Sequence, residues 1–181
     1  MKLYKVNIDN WHLNGTFHCR NYKILALEII KNFNPKLYID IGCGLGEILS
    51  RVSLNTNYKL GFDKDIYLQE AHYRLKKNKF KYFNNEDNMI KHISKLNLSK
   101  NDLKVISMLN FLHNISPEDF KNIINKYYEK FGSYILVVDA ISNKGKEYTY
   151  DHHRFLYNHK GLVKYFFQVD SLRSLYCLKI G

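Results

Sequence analysis

Residues 37 to 47 read Leu-Tyr-Ile-Asp-Ile-Gly-Cys-Gly-Leu-Gly-Glu, a short apolar run that ends in an acid and three glycines at alternate positions. Glycines let a backbone turn tightly and approach a ligand without Cβ obstruction, and a helix opening there presents the positive end of its dipole. The spacing of Gly42, Gly44 and Gly46 is G-x-G-x-G. A dinucleotide fold uses G-x-G-x-x-G, with a pyrophosphate resting on the helix. Asp40 before the turn and Glu47 after it would repel a pyrophosphate, but they suit a ligand that carries an ammonium and a sulfonium. A P-loop is excluded, because no Gly-Lys-Ser/Thr follows. Asp63, in Gly61-Phe-Asp-Lys-Asp65, lies 17 residues beyond Gly46, close to where an acid grips ribose hydroxyls.

These residues need a scaffold, and the chain supplies an alternation of apolar runs and amphipathic stretches. Residues 21–33 place Ile24, Leu27, Glu28 and Ile30 at helical spacing until Pro35 stops the run. Strands are expected over 37–41, 58–62, 80–83, 103–109 and 134–138, with helices over 47–53, 65–77, 89–96 and from 116 to about 131. Ser116-Pro-Glu-Asp opens the last of these with a cap, a first-turn proline and acids facing the helix dipole. Two further β runs, 162–169 and 174–180, are separated only by Asp170-Ser171 and leave little room for a helix. The expected fold is α/β: a Rossmann-like, mostly parallel seven-stranded sheet with helices on both faces and an antiparallel terminal pair. At 181 residues the chain reads as one domain over 1–181, its first 20 residues forming a segment over the site.

Composition narrows the setting. No run of eighteen apolar residues suggests a membrane span, and no apolar signal core follows Lys2 and Lys5. Cys19, Cys43 and Cys177 form no C-x-x-C pair, so neither a disulfide framework nor a metal site is expected, and the cytoplasm is the expected compartment. The net charge of +11 raises nucleic acid as a partner. Only five of the 28 basic residues are arginines and the lysines are scattered. A chain rich in Lys, Asn, Ile and Tyr also fits an A/T-rich coding bias, so nucleic acid is not favoured. The densest basic stretch, Arg74 to Lys81, reads as the solvated end of a helix.

With the glycine turn, Asp63 and the order of elements in place, the sequence resembles the class I S-adenosylmethionine-dependent methyltransferases over roughly residues 20–181. The resemblance implies S-adenosyl-L-methionine as cofactor. It implies that Gly42, Gly44 and Gly46 line the methionine moiety with Asp40 nearby, and that Asp63 takes the ribose hydroxyls. Asp87, or its neighbour Glu86, would face the adenine amino group, and Asn110 would meet the cofactor from the end of the fourth strand. The family's N-terminal region often folds over the cofactor. There Arg20 could pair with the cofactor carboxylate and Tyr22 could pack beside the sulfonium, or both could be surface packing.

The end of the fourth strand, which faces the methyl group in the family it resembles, reads Ser107 to Asn114 and speaks to the methyl acceptor. Enzymes of exocyclic base amines resemble a Pro-Pro-aromatic pattern there, and cytosine-C5 enzymes a Pro-Cys pair. With prolines only at 35 and 117, this chain can hold neither. A hydroxyl acceptor calls for a base, and the candidates are His113 and the cluster Asp151-His152-His153. Alternatively, His113 caps the turn before Pro117 and the cluster is a polar lid or helix start, and Asp-His-His without further ligands is a poor metal signature. The leading expectation is methyl transfer to a hydroxyl of a small molecule or a sugar or glycan precursor. The competing ones are an RNA methyltransferase and a non-catalytic module that binds the cofactor. Oligomeric state is not legible in the sequence.

Overall fold

The computed structural model describes residues 17, 20–52, 56–68, 80–141, 149–158, 163–169 and 172–181. Five parallel strands come first in the chain: β1 (Leu37–Ile41), β2 (Tyr58–Phe62), β3 (Lys81–Phe83), β4 (Lys104–Met108) and β5 (Tyr134–Ile141). β6 (Val163–Gln168) and β7 (Arg173–Ile180) follow, and β7 inserts antiparallel between β5 and β6. The seven-stranded sheet has the order β3-β2-β1-β4-β5-β7-β6. The helices described are α1 (Asn21–Phe33), α2 (Glu86–Ile93), α3 (Pro117–Phe131) and α4 (Thr149–Asn158), with a short 3₁₀ turn at Leu112–Asn114. The expected sheet and its antiparallel terminal pair are therefore present.

Period-two alternation along the strands divides the core into two faces. Leu37, Ile39 and Ile41 of β1 point with Ile106 and Met108 toward Met89 of α2, Phe120 of α3 and Leu156 of α4. Tyr38, Val105 and Val137 face the other way, onto Leu27 and Ile30 of α1. Asp40 shares the α1 face with Tyr38, and both are buried although β1 is otherwise an apolar strand.

Local chemistry sets several boundaries. Asn34 ends α1 in the left-handed region at φ +46°. Ser116 caps α3 by accepting from the Asp119 amide at 3.1 Å, with Pro117 in the first turn as expected. One expectation is corrected: residues 44–52 form linked turns, not a regular helix over 47–53. The Glu47 carbonyl is taken by the Ser50 hydroxyl at 3.0 Å and the Arg51 guanidinium at 2.8 Å. The Arg51 amide turns instead to the Ile48 carbonyl, which breaks the helical ladder. The helix expected over 65–77 is described only to Leu68, and most of Arg74–Lys81 lies outside the described residues. Among those described, no helix is long and apolar enough to cross a membrane.

A buried histidine ties α4 to the residue that follows the 3₁₀ turn. His152 is 1% exposed, donates from Nε2 to the Ile115 carbonyl at 2.8 Å, and meets the Phe120 ring edge-on at 5.6 Å. Burial lowers its pKa below 6.5. A histidine held neutral in the fold contributes stability above its unfolded pKa and loses it as the pH falls. Urea unfolding of wild type and His152→Phe should therefore show the wild-type advantage shrinking as the pH drops below about 6.5. A pH-independent difference would show that His152 is not kept neutral.

Candidate functional site

The site lies at the carboxyl ends of β1, β2, β4 and β5, where the chain leaves β1 for β2 on one side and β4 adjoins it on the other. Such a switch point in strand order opens a crevice between neighbouring loops. A cavity of about 490 Å³ occupies it, with the glycine turn on one wall and Leu109 to Phe111 on another.

The turn is held by β2. The amides of Gly42 and Cys43 both donate to the Phe62 carbonyl, at 2.8 and 3.1 Å. The Gly44 amide donates to Asp63 Oδ2 at 2.9 Å, and Asp63 Oδ1 accepts from the Asp65 amide at 3.1 Å. Gly42 and Gly46 have φ of +71° and +69°, which side-chain-bearing residues rarely adopt. At Gly46 a Cβ would also fall 2.2 Å from the Phe80 ring, so the turn packs against the residue that leads into β3.

Acids and bases are interleaved around the cavity. Glu47 pairs with Lys23, and with Arg20 at 3.6 Å, which docks the first turn of α1 on the glycine turn. Asp139, at the end of β5, is fully buried and accepts from the Asn110 amide at 2.6 Å and from Arg173 of β7. That bond holds Asn110 at φ +56°, a left-handed conformation otherwise unfavourable for a non-glycine residue. Arg173 also reaches Asn110 Oδ1 at 3.2 Å and lies 3.9 Å over the Tyr22 ring. Asp40 is 4% exposed and accepts from Ser107 Oγ at 2.5 Å, and burial raises its pKa to about 6.

The structure brings Arg20, Tyr22, Asp40, Gly42, Gly44, Asp63 and Asn110 to one cavity, as their assignment to one site requires. Gly46 supports the turn from behind it. Asp87 does not reach the cavity; it is exposed in the first turn of α2, which Asn85 caps. Glu86 is turned the other way, accepting from Lys126 Nζ and Tyr127 Oη at 2.5 Å each. Those two bonds outweigh its burial and keep its carboxyl below the usual range. None of His113, Asp151, His152 and His153 lines the cavity. His152 anchors α4, and His153 Nδ1 lies 3.0 Å from Tyr176 Oη. Apart from Phe17 and Arg20, the N-terminal segment expected over the site lies outside the described residues. Among the described residues, no group of three or more potential ligands could hold a metal ion.

No protein-family model matches the chain, and no curated protein matches it. Solved structures do. The methyltransferase domain of bacterial CtHen1-C superposes with a TM-score of 0.63 at 14% identity, covering 89% of this chain and 97% of that one. Magnesium protoporphyrin IX methyltransferase from Synechocystis, solved with bound S-adenosylmethionine, gives 0.59 at 15% identity over 98% and 86%. The chain has the class I methyltransferase fold. A Pnkp1/Rnl/Hen1 RNA repair complex also matches, with a TM-score of 0.58 at 11% identity over 88% of this chain and 41% of that one.

Within the methyltransferase fold, several residues join the site that the sequence reading passed over: Lys23, Ser107, Asp139 and Arg173. Ser107 and Asp139 had a visible signal, since each is a polar residue inside an apolar strand run and buried polar groups need a reason. Lys23 and Arg173 had none, because only the packing of α1 and β7 brings them to the cavity.

The Asp40 carboxyl has a raised pKa, so its favourable neutral form is complete below 3.8 and is lost as the pH rises through about 6. Asp40→Asn, which stays neutral and still accepts from Ser107, should gain stability over wild type across that interval. The gain should level off at roughly 2–3 kcal/mol above neutral pH. Equal stabilities at pH 4 and at neutrality would contradict the burial of an ionised carboxylate.

Proposed function

We propose that this chain is a cytoplasmic, single-domain S-adenosylmethionine-dependent methyltransferase whose acceptor is a hydroxyl of a small molecule or sugar. The observation that carries the reading is the pairing of two acids with a glycine turn at one cavity. Asp40 is buried on its wall and Asp63 braces the turn from β2. Acids there fit a ligand with an ammonium, a sulfonium and ribose hydroxyls, and they disfavour a pyrophosphate. The likeness to methyltransferases of known structure supports the same reading. Cys43, a buried thiol outside any disulfide, supports a reducing compartment.

When bound, the cofactor supplies an electrophilic methyl group on sulfur. The chain's own part is to bind and align. Asp40 would balance the ammonium, and Asp63 would accept from the ribose hydroxyls. Its two oxygens keep lone pairs beyond those taken by the Gly44 and Asp65 amides. Arg20 would meet the cofactor carboxylate at the mouth of the cavity. Tyr22, held flat under Arg173, and Asn110, held by Asp139, would bound the methyl end. Of the candidate bases, His113 keeps the role because Phe111 and Asn114 on either side of it line the cavity. Asp151, His152 and His153 would act through the position of α4.

A second reading, an RNA acceptor, is favoured by the net charge of +11 and by the likeness to a component of an RNA repair complex. Salt separates the two. RNA binding through phosphates would weaken steeply with added salt, whereas a small acceptor would show little dependence.

Calorimetry with S-adenosylmethionine tests the central reading. Wild type should bind, and Asp63→Ala should weaken binding by roughly 10- to 100-fold, because it removes both a ligand contact and a brace of the turn. Absence of binding by wild type, or full binding by Asp63→Ala, would overturn it. His113→Ala should leave cofactor affinity unchanged and lower transfer to a hydroxyl acceptor by about 10²- to 10⁴-fold.

A further inference from the structure

Among the described residues, only one of the two Asp40 oxygens has a protein partner. Oδ1 accepts from Ser107 Oγ, and Oδ2 is left to the cavity that Asp40 lines. Ser107 is itself fully buried, and its Oγ lies 2.7 Å from Oη of the equally buried Tyr38. A serine hydroxyl has one hydrogen to give. Since that hydrogen goes to Asp40, Tyr38 must donate to Ser107. The result is a one-way chain, Tyr38 Oη–H to Ser107 Oγ–H to Asp40 Oδ1. Sheet geometry builds it: Asp40 stands opposite Ser107 in the β1–β4 register, and Tyr38 lies two residues before Asp40 on the same face.

We infer that Ser107, oriented by Tyr38, is a positioning residue that keeps Asp40 available as an anion and turns its second oxygen to the cationic, amino-acid end of the cofactor. The inference rests on the cofactor reading above. The groups acting on Asp40 can be named for each element around it. Burial raises its pKa, and the Ser107 bond opposes that most, followed by Lys23 of α1. Asp63, at the end of β2, adds to the rise. Tyr38 and Cys43 stay neutral, because burial pushes the ionisation of both well up. Helices α2, α3 and α4 pack on the opposite face of the sheet and contribute none of these groups. Lys23 is already engaged by Glu47, so Ser107 is the direct donor that favours the charged form.

The test uses the whole chain with and without S-adenosylhomocysteine, which keeps the ammonium. In the ligand-free protein, carbon-13 detection of the Asp40 carboxyl should give a midpoint near 6 for wild type. Ser107→Ala should raise that midpoint by about one pH unit, since hydrogen bonds to charged groups carry about that weight. Ser107→Thr, which keeps the hydroxyl, should restore it. Tyr38→Phe, which leaves the Ser107 donor in place, should shift it less. Calorimetric affinity for S-adenosylhomocysteine, followed from about pH 5 to about pH 8.5, should fall on the acid side with the same displacement in Ser107→Ala. An unmoved midpoint in Ser107→Ala and Tyr38→Phe overturns the inference. So does a moved midpoint with an unmoved affinity limb, because Asp40 would then not face the cation. Failure of wild type to bind at any pH overturns the cofactor reading itself, a result separate from either of these.

Discussion

An ionisable acid buried at the carboxyl end of β1 is a constraint that much of the surrounding structure answers. Asp40 stands between β2 and β4 in the parallel part of the sheet and is only 4% exposed, with one edge on the cavity. An unpartnered charge there would be strongly unfavourable. The β1–β4 register answers part of that by setting Ser107 opposite the carboxylate. Lys23 answers another part from α1. What is left is an oxygen opening on the cavity, so the fold carries a destabilising group at the wall of the proposed cofactor site. Active sites commonly store such local instability.

The same logic repeats around the rim. Three acids at or beside the cavity are each tied to a different segment of chain: Glu47 to α1, Asp63 to the backbone of the glycine turn, and Asp139 to β7 and Asn110. Partly exposed pairs such as Glu47 with Arg20 contribute little to global stability. They do set geometry, because they tie α1, the glycine turn, β7 and the loop after β4 into one wall. Tyr22 and Arg173 complete it through a contact between elements that begin and end the described fold.

Much of this was legible in the sequence for identifiable reasons. The strand runs, the Ser116-Pro117 cap and the glycine turn are local signals, and the structure contains each. Asp40, Gly42, Gly44 and Asp63 follow from the spacing of one strand–turn–strand unit, so they came out together. The turns over 44–52 were misread as a helix because side chains of Ser50 and Arg51 compete for a carbonyl, which hydrophobic pattern does not report. Asp87, or its neighbour Glu86, was assigned to the adenine on the family resemblance. α2 instead exposes one and turns the other to Lys126 and Tyr127 of α3. His152 was read as a candidate base from its place after the fifth strand beside Asp151 and His153, and the packing of α4 on Phe120 gives it a structural bond. Long-range partners such as Arg173 with Asp139 depend on the β5–β7 pairing, which a sequence specifies only through the whole sheet.

Asp40 and Asp63 organise the proposed cofactor site. A crystal structure of the chain with S-adenosylhomocysteine tests it most directly. The amino group should lie within hydrogen-bond distance of Asp40 Oδ2, with the ribose hydroxyls on Asp63 and the sulfur facing Asn110 and Tyr22. Ligand bound elsewhere, or a pose with neither acid in contact with it, would contradict the account.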